Sequence, residues 1–197
     1  ASQVDGFLLV AEREGWEVRF EEVAPNRPNV VAIAKGSGGG KTLMLNAHTD
    51  TVGVAGMTDP FEARIVNDKL FGRGALDMKA GLAAAIAATI QVKKINLRGD
   101  VILTAVIDEE HSSLGTEAVM REYHADAAIV TEPSWMNLCT AHRGFAVFEI
   151  EVYGKAAHTS QQHLGVNAIV QAGKLLAEIA AFNEALQQKE QHPLLNF

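Results

Sequence analysis

The sequence predicts an α/β protein: a mixed sheet flanked by helices, followed by the start of an α+β unit. Three observations carry that prediction. Apolar runs at 42–47, 101–107 and 127–131 alternate with helical patterns at 78–94 and 114–123, which is the rhythm of a layered α/β fold. The last two runs are short and continuous, as in strands covered on both faces. The runs also close on acidic or imidazole groups: His48-Thr49-Asp50, Asp108-Glu109-Glu110 and Glu132-Pro133, with Asp77 inside Gly72-Arg73-Gly74-Ala75-Leu76-Asp77-Met78-Lys79. Ligand sites of open α/β sheets lie beyond the carboxyl ends of the strands. The pattern therefore implies one shared, strongly anionic pocket that needs cations.

The elements follow in order. Residues 4–14 place Val4, Phe7, Leu8 and Ala11 on one helical face. Residues 16–21 alternate apolar and charged, the period of a half-exposed strand. Residues 29–34 and 42–47 are two further strands, joined by the glycine-rich segment 36–40. Residues 61–71 read as a hairpin turning at Asn67-Asp68-Lys69. Residues 78–94 form the strongest helix, and 114–123 a second one between two strands. After His142 the character changes. Gly144 to Tyr153 reads as one long half-polar strand and Asn167 to Lys189 as an amphipathic helix. The expected division is a catalytic domain over 1–142 and the beginning of another domain over 143–197.

Composition narrows the function. Of 197 residues, 48% are apolar and 6% aromatic, enough for a sizeable core rich in alanine and small aliphatics. Seventeen Lys+Arg against 24 Asp+Glu give a formal net charge of −7. That balance argues against nucleic acid or an anionic membrane surface as partner. A single cysteine, Cys139, excludes an internal disulfide framework and a cysteine zinc site, and it fits a reducing, cytoplasmic setting. No uninterrupted apolar run reaches about 18 residues, so no membrane span is expected.

Gly38-Gly39-Gly40-Lys41-Thr42 resembles a phosphate loop only superficially. The motif requires a glycine at 35, which is Lys35, and a helix after the loop. Strands flank both sides, so a flexible turn is expected.

Imidazole nitrogen and carboxylate oxygen suit hard or borderline divalent cations. His48, Asp77, Glu110 and Glu132 are ligands of that kind. Several carboxylates suit two metals sharing a bridge, about 3.5–4 Å apart, with a water activated between them. Asp50 is placed to accept the second ring N–H of His48 and fix its tautomer. Adjacent Glu109 and Glu110 cannot point the same way on an extended backbone. One can then ligate while the other serves as general base. Bland roles also fit: Asp77 as a helix N-cap, Glu109 and Glu110 as a solvated turn, Arg143 in a structural ion pair or on a substrate carboxylate.

These residues carry a family resemblance. The stretches Asn46–Val52, Gly72–Gly81, Asp108-Glu109-Glu110, Thr131-Glu132-Pro133-Ser134 and Gly154–Ser160 resemble, in order and spacing, the M20 metallopeptidases and deacylases. The resemblance implies that His48 and Glu132 bind one Zn2+, Glu110 the other, Asp77 bridges, Glu109 is the base and Asp50 orients His48. Co2+ or Mn2+ can share such ligands. It implies hydrolysis of the amide bond of an N-acyl amino acid or short peptide. Glutamate at 132 looks more like the deacylase and carboxypeptidase branches than the aminopeptidase branch. The segment after His142 would enter a lid, or dimerisation, domain. His158 would reach into the site of a homodimer partner and help hold the oxyanion.

The family's last ligand is a histidine near the end of a considerably longer chain, and its chains carry a helix ahead of position 1. Neither His163 nor His192 falls in that ligand's sequence context. The alternative expectation is a non-catalytic metal-binding or dimerisation fragment.

Overall fold

In the computed structural model, which describes residues 3–144, 146–189 and 193–195, the strands β1 (Glu17–Ala24), β2 (Arg27–Ala34), β3 (Leu43–His48), β6 (Val101–Val106) and β7 (Ala127–Val130) form one sheet. Their spatial order is β1-β2-β6-β3-β7. β1 and β2 are antiparallel, as are β2 and β6. β6, β3 and β7 run parallel, so the sheet is mixed as the sequence implies. β4 (Arg64–Val66) and β5 (Lys69–Phe71) make a separate hairpin. Asn67 and Asp68, both left-handed at φ 51° and 59°, form its two-residue turn.

Two helices cover one face. α1 (Gln3–Arg13) and α2 (Ala80–Lys93) pack over Val30, Ala32, Ala34, Leu45, Leu103 and Ala105. α3 (Leu114–Glu122) covers the other through Val119, against Val31, Ile33, Met44, Ile102 and Val106. The period-2 alternation of β2 thus feeds two separate core layers. By length and mean hydropathy (1.3), Ala75–Lys93 would also suffice to cross a membrane, a span the uninterrupted-run criterion passes over. Its first turn departs from helical geometry at Asp77 and Met78. Beyond it Leu82, Ala85, Ile86 and Ile90 face the sheet while Ala83, Ala84, Ala87 and Ala88 face outward. One side of it packs on the sheet and the other is an exposed alanine face.

Segment 36–40 is not loose. Ser37 N–H donates to Leu97 O at 2.8 Å and Gly38 N–H to Arg98 O at 2.9 Å. A Cβ at Gly36 or Gly40 would collide with the backbone of Arg98 and Gly99. The glycines there permit close backbone approach.

Two other expectations change. β7 is an exposed edge strand, with Ile129 49% and Val130 59% accessible, although its apolar run resembles a doubly covered strand. Periodicity encodes the wish for burial but not which layer supplies it. Residues 144 and 146–153 form no strand: among the described residues none pairs with them in a ladder. The compact units are Ala1–Met136 and Asn137–Phe197. The second contains the bridge Lys155↔Val166, a short turn Thr159–Leu164 and α4 (Ala168–Gln187). Asn167 caps α4, its side chain accepting from the amides of Ile169 and Val170.

Candidate metal centre

Three parallel strand ends build the site. His48 closes β3 opposite Val106 of β6, and Asn46 lies opposite Val130 of β7. Two residues beyond each partner come Asp108 and Glu132. The first turn before α2 brings Asp77 to the same edge, where Met78 Sδ accepts the His48 amide at 3.1 Å. Asp77 does not cap α2; its carboxylate faces His48 instead.

The buried imidazole is the hub. His48 Nδ1 lies 2.9 Å from the main-chain oxygen of Asp50 and 3.5 Å from its carboxylate. A carbonyl only accepts, so Nδ1 carries the proton. Nε2 faces Asp77 Oδ1 at 3.0 Å, Glu132 Oε1 at 3.5 Å and Glu109 Oε2 at 3.8 Å. His48, Glu109 and Glu132 bring ligand atoms within 4.8 Å of one another, and so do His48, Asp77 and Glu110.

The Asp50 carboxylate has a further task that its sequence position does not reveal. It accepts the amides of Glu109 and Glu110, each at 3.2 Å. Asp108 adopts a left-handed φ of 68°, so the two glutamates sit on a turn rather than on extended backbone. That removes the alternation argument for separating them, and each contributes to one of the two groups around His48.

The electrostatics are those of crowded anions. Burial raises Glu132 to about 7; His48 opposes the shift, while Asp77, Glu109 and Glu110 add to it. Burial likewise raises Glu109, with Glu110, Asp50 and Asp77 adding to the shift against His48. Burial pulls His48 down, but the Asp77 hydrogen bond and the Glu132 charge outweigh it, so its pKa is raised. All three shifts favour the protonated form. With Nδ1 protonated, a neutral His48 presents its Nε2 lone pair to the carboxylates, an arrangement that a divalent cation between them satisfies. The donor set fits such an ion.

His158 belongs to the second unit, where it is exposed and its Nδ1 sits 2.8 Å from Ser160 Oγ. His163 is exposed in the turn Thr159–Leu164, and His192 lies outside the described residues. Lys79, which the sequence marks as structural or field-balancing rather than catalytic, donates from its ammonium to Thr49 O at 3.2 Å. Sequence reasoning passed over Met78, Asn29 and Arg27. Asn29 and Arg27 stand in no charged motif, whereas Met78 shares the Asp77 stretch.

A sequence profile of Peptidase family M20/M25/M40 matches residues 44–189. The chain belongs to this family. It is 42% identical over 132 residues to an N-formyl-4-amino-5-aminomethyl-2-methylpyrimidine deformylase from Halalkalibacterium halodurans, covering 62% of this chain and 31% of that one. It is 31% identical over 185 residues to an acetylornithine deacetylase from Vibrio cholerae, covering 91% and 48%. The fold resembles that of a tripeptidase from Staphylococcus aureus (TM-score 0.61, 21% identity, 88% of this chain and 50% of that one). The chain spans less than half the length of the two curated relatives.

Proposed function

We propose that the protein is a dinuclear-zinc amidohydrolase that cleaves the amide bond of an N-acyl amino acid or short peptide. The observation that carries this reading is the gathering of Asp77, Glu132 and Glu109 around His48 Nε2 at 3.0, 3.5 and 3.8 Å. Two relatives named as a deformylase and a deacetylase support the same reaction class.

His48 and Glu132 would hold one zinc and Glu110 the other, with Asp77 between them. Cobalt or manganese suits the same donors. When bound, the metal pair supplies a Lewis acid for the scissile carbonyl and lowers the pKa of a water. Asp50 keeps the His48 ring in place through its carbonyl. Glu109 takes the proton of the attacking water and returns it to the leaving amine. Its pKa, raised by burial and then by its acidic neighbours, suits a group that carries a proton between two steps. Residues 1–142 serve as the catalytic part and 143–197 as the beginning of a lid. Through that lid the protein forms a homodimer, and His158 of a second copy helps hold the oxyanion. The single exposed thiol of Cys139 supports a cytoplasmic setting.

The test measures bound zinc and amidase activity on the full-length gene product and on the 197-residue chain. Glu109→Ala should abolish turnover while leaving zinc bound. Full-length protein that binds zinc yet cleaves no N-acyl amino acid or dipeptide would overturn the reaction class. Loss of all metal from Glu109→Ala would mean that Glu109 and Glu110 exchange roles.

A further inference from the structure

Arg27 lies outside the ring of candidate ligands, yet it reaches the turn that carries two of them. Its Nη1 donates to Asp108 Oδ1 at 3.0 Å, across 81 positions of sequence. The Asp108 side chain is only 7% exposed, while that of Arg27 is 47% exposed. A carboxylate buried that deeply needs a counter-charge. Among the described residues the other Asp108 oxygen, Oδ2, is buried without a hydrogen-bond partner, so the guanidinium is the partner that holds this side chain.

Asp108 in turn organises the loop. Its carbonyl accepts the amides of His111, Ser112 and Ser113 at 3.4, 3.1 and 2.6 Å. Its left-handed φ sets the direction in which Glu109 and Glu110 leave β6. Two residues along β2, on the same side of the strand, Asn29 grips the loop's two ends. Its Oδ1 accepts the Ile107 amide at 3.0 Å and its Nδ2 donates to Gly115 O at 2.8 Å. A Cβ at Gly115 would lie 2.6 Å from Asn29 Oδ1, so only glycine lets α3 approach this closely. From the opposite side Asp50 takes the amides of Glu109 and Glu110. The turn is held from β2, from β3 and from within.

We propose that Arg27 is a positioning residue: through its ion pair with Asp108 it holds the turn that presents Glu109 and Glu110 to the metal centre. The role of those glutamates rests on the function proposed above. Arg27 touches neither of them. It also lines an open cleft of about 440 Å³ with Asn26, Pro28, Thr49, Asp50 and Thr51. A direct contact with substrate from that cleft is the competing role. An arginine whose charge is already engaged by a buried carboxylate is a poor anchor for a second anion, which favours positioning.

The experiment compares Arg27→Met and Arg27→Lys in the full-length protein, by amide hydrogen exchange and by zinc competition against a chromogenic chelator. In Arg27→Met, exchange over 107–113 should accelerate by about tenfold, the factor that loss of one charge-assisted hydrogen bond brings. Zinc affinity should fall roughly 10–100-fold, as for other outer groups that orient ligands. Arg27→Lys should restore both, because the pair uses a single N–H. If Arg27→Met does not fold, Arg27→Met/Asp108→Asn leaves no orphaned buried charge and is held to the same readouts. Unchanged exchange over 107–113 overturns the proposal. So does acceleration spread evenly over the whole sheet, which marks a general stabiliser. A rise in KM alone, with exchange and zinc affinity unchanged, overturns it in favour of substrate contact. If the unsubstituted protein binds no zinc, the metal reading fails, while the exchange measurement still decides the clamp.

Discussion

Replacing Glu132 by glutamine in the metal-free chain should remove a pH-dependent destabilisation. Burial and the charges of Asp77, Glu109 and Glu110 raise this carboxyl from 4.5 to about 7 against the opposing His48. A carboxyl with a raised folded-state pKa binds its proton more tightly in the folded state. Its contribution is therefore fully present below 4.5 and is lost as pH rises through about 7. The full shift corresponds to about 3 kcal/mol. The Glu132 side chain is 37% exposed, and solvent screening reduces the expected loss to about 1–2 kcal/mol. The raised pKa of His48 runs in the same direction and depends in part on the Glu132 charge, so the variant reports the pair's joint titration. The assay is urea unfolding in a chelator at pH 5 and pH 8. Wild type should lose about 1–2 kcal/mol more than Glu132→Gln between those values. Zinc should invert the order. At about 100 times its dissociation constant it stabilises wild type by about 2.7 kcal/mol, and the variant by less. Parallel pH slopes for the two proteins in chelator would refute the reasoning, since crowded anions would then not control the site.

Asn29→Ala should cost about 2–4 kcal/mol in urea unfolding, because it removes two buried hydrogen bonds and leaves the Ile107 amide unsatisfied. Leu103→Ala, at a fully buried position in the layer beneath α1 and α2, should cost about 2–5 kcal/mol by the same measurement. Its effect should be one of stability alone, with zinc affinity of the folded fraction unchanged.

Much of the fold is legible because its signals are local. β2, β3 and β6 announce themselves through apolar runs, and α4 through Asn167 and the periodicity that follows. The hairpin β4–β5 is marked by Asn67-Asp68, residues that tolerate a left-handed backbone. Other signals were local yet incomplete. The run at 127–131 shows apolar character but not its place at a sheet edge. Residues 144–153 alternate like a strand, although a strand exists only where a neighbour completes its hydrogen bonds. The glycines of 36–40 suggest freedom, whereas the structure uses them for close contact with 97–99.

The sequence by itself determined the chemistry available to this protein: one imidazole and several carboxylates, most of them placed where an apolar run ends, with a family pattern specific enough to name them together. Those facts need only a few consecutive residues, so they survive without coordinates. The tertiary structure decided which of these groups meet. Parallel register between β3, β6 and β7 carries His48, the 108–110 turn and Glu132 to one edge. It decided that Asp50 meets the His48 ring most closely through its carbonyl while its carboxylate holds the glutamates' amides. It also placed Arg27 on Asp108, a contact spanning 81 residues that no local pattern encodes. The physical reason is common to all three: backbone propensity is a property of a short segment, whereas a hydrogen bond between distant segments depends on the register in which the whole sheet assembles.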